Sequence, residues 1–367
     1  MTDDNVSLIT LNKPLRCIVK LGGAAVTCKH EIEKINEENL GILSMQLSQA
    51  IMASDSSKNV PGMDWSKRPG VSEISIPLDD FREQSLLESS NFIVVHGAGS
   101  FGHFQASRSG VHKGGLQLIP IVKAGFVATR ISISYLLPET LAWAGLVVSV
   151  CIYLIPLAHA GMSLMVTSLN LEIVRALARE GIPSVGMSPF ASGWSTCQRN
   201  LASADISQVA MAINSGFVPV LHGDAVLDTV QGCTILSGDV IIRHLAELLK
   251  PDYVVFLTDV LGVYDRPPTD PAAVLLREIA VDEDGNWSIV KPVLQNNSKQ
   301  VEITVAAHDT TGGMVTKIAE AALIAKLGID VYIVKAATDH SLRALKGEIK
   351  TEIPDDWLGT VIKSSPS

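Results

Sequence analysis

Short apolar runs rich in β-branched residues recur along the chain, and four of the five end directly before glycine, His-Gly or Thr-Asp. The runs cover residues 17–21, 92–95, 218–221, 253–257 and 331–334. Continuous apolar runs of this length indicate parallel strands that are buried on both faces. Helical patterns lie between them, and the alternation predicts an α/β fold of the αβα sandwich type. In such a fold an open, mostly parallel central sheet has helices on both faces, and ligands bind at the carboxyl ends of the strands.

Two of the helical patterns have recognisable ends. Residues 239–249 place apolar side chains on one side, with Ser237 as the expected N-cap and Pro251 as the stop. Residues 315–327 form a second apolar-periodic run, and Gly328 follows it. Both segments are therefore predicted to be helices that pack against the sheet.

The composition excludes several classes of protein. The 367 residues contain 29 lysines and arginines against 38 aspartates and glutamates, a net charge of −9 that disfavours nucleic-acid binding. With 47% hydrophobic residues, most of the chain has enough apolar material to fold. The acidic start MTDDNVSLIT lacks the features of a signal or transit peptide, so we expect a cytoplasmic protein. The cysteines are scattered without a C-x-x-C pair, which indicates free thiols rather than disulfides or a structural zinc site: Cys17, Cys28, Cys151, Cys197 and Cys233.

The segment HGAGSFGH at residues 96–103 follows the second predicted strand and contains a G-x-G-x-x-G match. A dinucleotide site also needs an acidic residue about 20 positions further on, but residues 103–138 contain no aspartate or glutamate. Histidine, lysine and arginine are present there instead, so the loop is suited to an anion whose oxygens approach the backbone N–H groups. The alternative is a tight turn that needs glycine only for a positive φ.

Two further glycine motifs carry lysines. Lys20 ends the first predicted strand just before Gly22-Gly23, and Lys29 follows nine residues later. Gly312-Gly313 precede the helical run 315–327, whose first turn contains Lys317. Phosphoryl transfer depends on positioning and charge neutralisation, which lysines beside glycine-rich turns supply, although a lysine at a strand end is often simply solvated. The chain contains no G-x-x-x-x-G-K-[ST], which excludes a P-loop enzyme.

In their order along the chain these motifs resemble the amino acid kinase superfamily and, more closely, its isopentenyl phosphate kinase family. The resemblance rests on KLGG, HGAGSFGH, HGD, LSGD, LTDVLGVYD and TTGGM. It covers residues 16–335 apart from 133–165, and its most telling residue is His103, the second histidine of HGAGSFGH.

The resemblance implies a role for each matching residue. The implied catalytic residues are Lys20, Lys29, His103 and Asp239. The implied substrate-binding residues are Gly97, Ala98, Gly99, Gly102 and His103. The implied nucleotide-binding residues are Lys20, Gly22, Gly23, Thr258, Asp259, Gly262, Tyr264, Gly312, Gly313 and Lys317. Within these sets, Lys20 and Lys29 would bracket the transferred phosphoryl group, Asp239 would orient the lysines, and His103 would hydrogen-bond the acceptor phosphate.

The same resemblance implies ATP-dependent phosphorylation of isopentenyl monophosphate to the diphosphate, with ATP and Mg²⁺ as cofactors. It also implies a homodimer that acts on a small alkyl monophosphate and associates with neither nucleic acid nor membrane. Mg²⁺ binds readily through substrate phosphates, so no metal ligand of the chain is predicted. The alternatives are another kinase of the superfamily, acting on glutamate or a nucleoside monophosphate, and an inactive nucleotide-binding splice form.

The resemblance further implies two lobes behind an N-terminal tail, 1–15. An acceptor lobe would cover 16–215, including the stretch 133–165, and a nucleotide lobe would cover 216–367. Residues 133–165 depart from the family pattern, because joining Ser132 to Val166 would give one unbroken helical pattern. This apolar insert is interpreted as a translated intervening sequence, a hydrophobic hairpin or a membrane anchor.

We predict that a chain joining Ser132 directly to Val166 is more soluble and more active than the full chain. The insert would expose a large apolar surface and displace the acceptor loop, and misplacement by ~1 Å can cost about 10²-fold in rate. Soluble yield and ADP release with isopentenyl phosphate check this for both chains. Equal or better performance by the full chain would contradict the intervening-sequence interpretation.

Overall fold

A nine-stranded sheet forms the centre of the computed structural model. The structure describes residues 11–29, 31, 33–51, 92–115, 122, 123, 126, 166–292, 313–350 and 352–365. All five predicted strands lie in this sheet, some of them one residue longer than predicted at an end.

The elements have the following bounds. The strands are β1 Cys17–Leu21, β2 Phe92–His96, β3 Ser184–Met187, β4 Ser195–Cys197, β5 Asn200–Ser203, β6 Val218–His222, β7 Asp224–Asp228, β8 Gly232–Leu236, β9 Tyr253–Thr258, β10 Val263–Tyr264, β11 Leu275–Leu276, β12 Glu278–Val281, β13 Trp287–Lys291, β14 Asp330–Lys335 and β15 Thr360–Ser364. The α-helices are α1 Gly23–Val26, α2 Glu37–Ile51, α3 His103–Ser109, α4 Val166–Arg179, α5 Ser207–Asn214, α6 Gly238–Leu249, α7 Gly313–Lys326 and α8 Asp339–Leu345. Short 3₁₀ turns occupy Gly99–Phe101 and Val111–Lys113.

The strand order of the central sheet is β13-β12-β15-β14-β9-β1-β2-β6-β3. Every neighbouring pair is parallel except β12 with β13 and β14 with β15. The mostly parallel α/β fold expected from the sequence is therefore confirmed. Two smaller sheets, β5-β4-β7-β8 and the pair β10-β11, lie outside it.

Helices cover both faces of the central sheet, and alternate residues of each strand face opposite cores. In β1, Ile18 belongs to the core that contains α6 and α7, whereas Cys17 and Val19 belong to the core that contains α2, α4 and α8. Burial on both faces explains why β1, β2, β6 and β9 are continuous apolar runs in sequence.

Helix α6 begins and ends almost as its sequence predicts. The hydroxyl of Ser237 accepts a hydrogen bond from the backbone N–H of Asp239 at 3.2 Å, and the left-handed Lys250 closes the helix before Pro251. Helix α7 begins at Gly313, two residues before the predicted start. Both helices start at one edge of the sheet. A Cβ at Gly238 would lie 3.3 Å from the carbonyl oxygen of His96, the last residue of β2, and Lys317 of α7 reaches Asp239 of α6.

The insert 133–165 lies outside the described residues, and so does Cys151. Helix α4 begins at Val166, directly after it. The described cysteines Cys17, Cys28, Cys197 and Cys233 are free thiols. Among the described residues, none of the helices combines the length and the apolar character needed to cross a bilayer.

The expected boundary between the two lobes, after residue 215, is crossed by the central sheet. Strand β6 follows that boundary in sequence but pairs with β2 and β3, which precede it. Strand β1 pairs with β2 on one side and with β9 on the other. The segments assigned to the two lobes therefore share one sheet, and the division into lobes stays a prediction.

Candidate active site

The carboxyl ends of β9, β1, β2 and β6 meet at one edge of the central sheet, because these four neighbours are parallel. The two loops predicted to bind anions follow β1 and β2 at that edge. Open α/β sheets bind their ligands at this edge. The motifs that were separate in sequence are thus brought to one place.

Lys20, Asp239 and Lys317 form a buried charge cluster at this edge. The Lys20 ammonium donates to Oδ1 of Asp239, and the Lys317 Nζ lies 3.6 Å from Oδ2 of the same carboxylate. Lys20 comes from β1, Lys317 is the fifth residue of α7, and Asp239 comes from the first turn of α6. Their ammonium groups also lie 5.9 Å and 5.7 Å from the ring centroid of Phe256, within the range of a cation–π contact.

The carboxylate of Asp239 stays charged although it is buried. Burial alone would raise its pKa, but the attraction of Lys20 and Lys317 and their hydrogen bonds lower it below the ordinary value. Two ammonium groups on one carboxylate leave a net positive charge. The cluster can therefore receive an anion such as a nucleotide phosphate without first breaking its own ion pairs.

The loops after β1 and β2 are in backbone contact. A Cβ at Gly23 would lie 2.5 Å from the Cα of Gly99, and a Cβ at Gly97 would lie 2.9 Å from the backbone nitrogen of Gly23. Gly99 also adopts a positive φ of 52°, where glycine is favoured. The glycines at 23 and 97 are thus needed for the close approach of two loops. The sequence motifs alone indicated only ligand binding and backbone conformation as reasons for these glycines.

Thr27 is hydrogen-bonded to both of these loops. The sequence motifs did not identify it. Its buried hydroxyl donates to the carbonyl of Gly23 at 2.9 Å and accepts from the backbone N–H of Ser100 at 3.1 Å. The hydroxyl of Ser100 is itself buried and has no hydrogen-bond partner among the described residues. A single threonine between two motifs carries no sequence signal that would distinguish it from a surface residue.

The segment predicted to contact the nucleotide follows β9. Thr258 is buried at the strand end and donates to the carbonyl of Val260 at 2.7 Å, and Asp259 forms an ion pair with Lys29. Gly262 leaves room for the hydroxyl of Thr360, which accepts from the backbone N–H of Val263 at 2.8 Å. These contacts hold 258–263 against β15 and bring Lys29 to the same side of the site.

The remaining predicted residues lie in the loop after β2, in the β10-β11 ribbon and at the start of α7. His103 is the first residue of α3, and its side chain is outside the described part. Ala98 and Gly102 flank the 3₁₀ turn of the loop after β2, and a Cβ at Gly102 would lie 2.9 Å from Cγ2 of Val166 in α4. Tyr264 pairs with Leu275 in the β10-β11 ribbon. Gly313 starts α7, whereas Gly312 is not among the described residues.

These residues fit a nucleotide better than a metal held by the protein alone. Within the described ranges, no group of three histidine, cysteine, aspartate or glutamate side chains is placed to hold a metal ion. Asp239 and Asp259 are both engaged by lysines. A divalent ion at this site would be held chiefly by nucleotide phosphates, which suits Mg²⁺.

The sequence model of the amino acid kinase family matches residues 15–335. The chain belongs to the amino acid kinase family and is an ATP-dependent kinase. Within that family it is similar to the isopentenyl phosphate kinases. The isopentenyl phosphate kinase of Arabidopsis thaliana is 63% identical over 356 residues, which cover 96% of this chain and 97% of that protein.

More distant isopentenyl phosphate kinases are also similar to this chain in sequence and in fold. The enzyme of Methanothermobacter thermautotrophicus is 33% identical over 265 residues, 71% of this chain and 82% of its own length. A solved structure described as "X-ray structures of isopentenyl phosphate kinase" superimposes with a TM-score of 0.59 at 26% identity and covers 95% of this chain and 100% of its own. The resemblance seen in the sequence motifs is therefore confirmed.

We expect Gly23→Ala to destabilise the protein by about 1–3 kcal/mol, the usual cost of inserting a methyl group into a closed contact. The new Cβ would meet the backbone of Gly99, which cannot move like a flexible side chain. Urea unfolding followed by circular dichroism measures the change.

Gly41→Ala is the matched control, because Gly41 is exposed within α2 and no heavy atom lies within 4 Å of its added Cβ. Relief of glycine's entropy cost in a helix should stabilise this variant by about 0.5–1 kcal/mol. If both variants unfold at the same urea concentration, the loop contact has no influence on stability.

Proposed function

We propose that this kinase transfers the γ-phosphoryl group of ATP to isopentenyl monophosphate and so forms isopentenyl diphosphate and ADP, a precursor step of isoprenoid synthesis. The buried cluster of Lys20, Asp239 and Lys317 beside the two glycine loops is the observation that carries the phosphoryl-transfer part. The 63% identity with the Arabidopsis thaliana isopentenyl phosphate kinase, over nearly all of both chains, supports the acceptor.

The proposed mechanism assigns charge neutralisation to the lysines. Lys20 lies one residue before the end of β1, next to the loop that follows the strand, so its ammonium would stabilise the phosphoryl group as it moves. Lys317, from the opposite side of Asp239, would bind the nucleotide phosphates. Asp239 holds both ammonium groups in place before substrate arrives, and such preorganisation is the main source of electrostatic catalysis.

No general base is needed at the acceptor. A phosphomonoester carries about −1.5 to −2 charge near neutral pH, so its oxygen is already a nucleophile. The site must instead offset the repulsion between two anions. Backbone amides of the loop after β2 and His103 would do this on the acceptor side, and Lys29 would do it beside the transferred phosphoryl group. Mg²⁺ held by the nucleotide phosphates would neutralise part of the charge on ATP.

Location and assembly belong to the same proposal. The described free thiols support a cytoplasmic enzyme. A homodimer and the absence of membrane association are proposed on the family resemblance, and size-exclusion chromatography with light scattering measures the first directly.

The acceptor assignment is tested by ADP release with isopentenyl phosphate, glutamate and UMP, using the wild type, His103→Ala and His103→Gln. The wild type should turn over isopentenyl phosphate only. His103→Ala should lower kcat/KM for it by an amount equivalent to about 2–4 kcal/mol, the range for a lost charge-assisted hydrogen bond, and His103→Gln should lose less because it keeps a donor. Turnover of glutamate or UMP in place of isopentenyl phosphate would overturn the substrate. If both His103 variants were fully active, His103 would have no role in recognising isopentenyl phosphate.

Lys20→Ala should lower kcat by roughly 10²-fold or more, the scale of losing one preorganised charge donor, while ATP still binds through Lys317. Isothermal titration with a non-hydrolysable ATP analogue and steady-state kinetics separate the two effects. Lys326→Ala is the control, since Lys326 is an exposed lysine in the last turn of α7. Wild-type turnover by Lys20→Ala would exclude its catalytic role.

A further inference from the structure

His96, the last residue of β2, is a fully buried histidine that touches the predicted acceptor loop from within the fold. Its Nδ1 lies 3.0 Å from the carbonyl oxygen of Gly97, and its Nε2 lies 3.1 Å from the side-chain amide nitrogen of Asn170. The resemblance to the kinase family gave this histidine no role. Its surroundings are specific enough to assign one.

The partners of the ring determine which nitrogen carries the proton. An amide nitrogen is a donor, so the Nε2 facing Asn170 must be the unprotonated acceptor. A carbonyl oxygen is an acceptor, so the Nδ1 facing Gly97 must carry the hydrogen. The imidazole is therefore neutral and in the Nδ1–H form. Burial and the neighbouring His222 and Lys20 lower the pKa of His96 to about 3, although the bond to Gly97 acts in the opposite direction.

The hydrogen bond to Gly97 fixes a peptide plane of the acceptor loop. In a trans peptide the carbonyl oxygen and the following N–H point in opposite directions. The N–H of Ala98 therefore points away from the ring once the Gly97 carbonyl is held. Ala98 belongs to the loop whose amides are proposed to bind the acceptor phosphate, so His96 sets the direction of one of these donors.

Asn170 in turn fixes the ring. It projects from α4 and is buried, and its amide nitrogen donates both to His96 and to the carbonyl of Val220 in β6 at 2.9 Å. Gly186 in β3 leaves the space that the amide oxygen of Asn170 occupies, since a Cβ there would collide with it. The ring is thus held by a helix and by two strands of the sheet.

We infer that His96 is a positioning residue, a neutral Nδ1–H imidazole anchored by Asn170 that orients the Gly97–Ala98 peptide for binding of the acceptor phosphate. This inference rests on the proposed function. It predicts different effects on acceptor binding and on ATP binding, which a histidine with a purely structural role would not produce. Disturbing His96 should weaken binding of the acceptor without weakening binding of ATP, whose proposed site lies on the other side of β1.

Three substitutions separate the two nitrogens. His96→Asn places an amide donor where Nδ1 stands, His96→Gln places an amide where Nε2 stands, and His96→Leu provides neither. We expect the acceptor KM of the Leu and Gln variants to rise by about 10- to 100-fold, the scale of a small misplacement of a binding group. The Asn variant should recover most of this loss, and the KM for ATP should stay within about twofold of the wild type in all three.

His222→Leu is the matched control. Its ring is equally buried at the end of the neighbouring strand, 5.6 Å from the ring of His96, and its Nδ1 lies 3.1 Å from the carbonyl oxygen of Gly223. If His222→Leu raises the acceptor KM as much as His96→Leu, the effect is a loss of packing and the inference fails. It also fails if the Asn variant is no better than the Leu variant, or if the KM values for acceptor and ATP rise together.

A measurement on the wild type decides the case even if a variant does not fold. In ¹⁵N-histidine-labelled protein, His96 should show a protonated Nδ1 and an unprotonated Nε2, in spectra that do not depend on turnover. An Nε2–H or doubly protonated ring would overturn the inference. If the wild type shows the expected ring but does not phosphorylate isopentenyl phosphate, the proposed function fails instead.

Discussion

A buried carboxylate held between two lysines is the interaction on which the site depends. An isolated charge in the interior would be costly, and Asp239 is kept charged by Lys20 and Lys317. Each of the three residues comes from a different element of the fold, so the cluster exists only after β1, α6 and α7 have packed together. The net positive charge of the cluster lies beside the glycine loops. Ammonium groups and backbone N–H donors, which both bind anions, are therefore close together.

Much of the fold could be predicted because its signals are local. Residues 92–95 were predicted as a strand from continuous apolar character, and the structure has Phe92–His96. Ser237 was predicted as the N-cap of α6, and its hydroxyl does cap that helix. Lys20, Asp239 and Lys317 were expected in one site through the family resemblance, and the structure brings them together, although their roles stay predictions.

The rest depends on contacts between residues far apart in sequence, which a single sequence does not encode visibly. Thr27 is hydrogen-bonded to Ser100, 73 positions further along the chain, and Asn170 contacts His96, which lies 74 positions before it. The strands β12, β13 and β15 on one side of the sheet were not predicted, because none is a long continuous apolar run. Strands β12 and β13 alternate more and less buried residues, and only the first three residues of β15 are buried. Gly23 was expected to bind the nucleotide through the family resemblance, and only the fold shows that the backbone of Gly99 occupies the space next to it.

The position of β1 between β2 and β9 has a further consequence for the chemistry. Neighbouring strands lie about 4.8 Å apart, so the starting points of the acceptor loop and the nucleotide segment are separated by two strand spacings, roughly 10 Å. Backbone hydrogen bonds of a central sheet set this span, and side chains at the site do not. In the proposed reaction the sheet would thereby fix the distance between the phosphoryl donor and the acceptor phosphate. Acceptors of other shapes would then differ only at the end away from their phosphate.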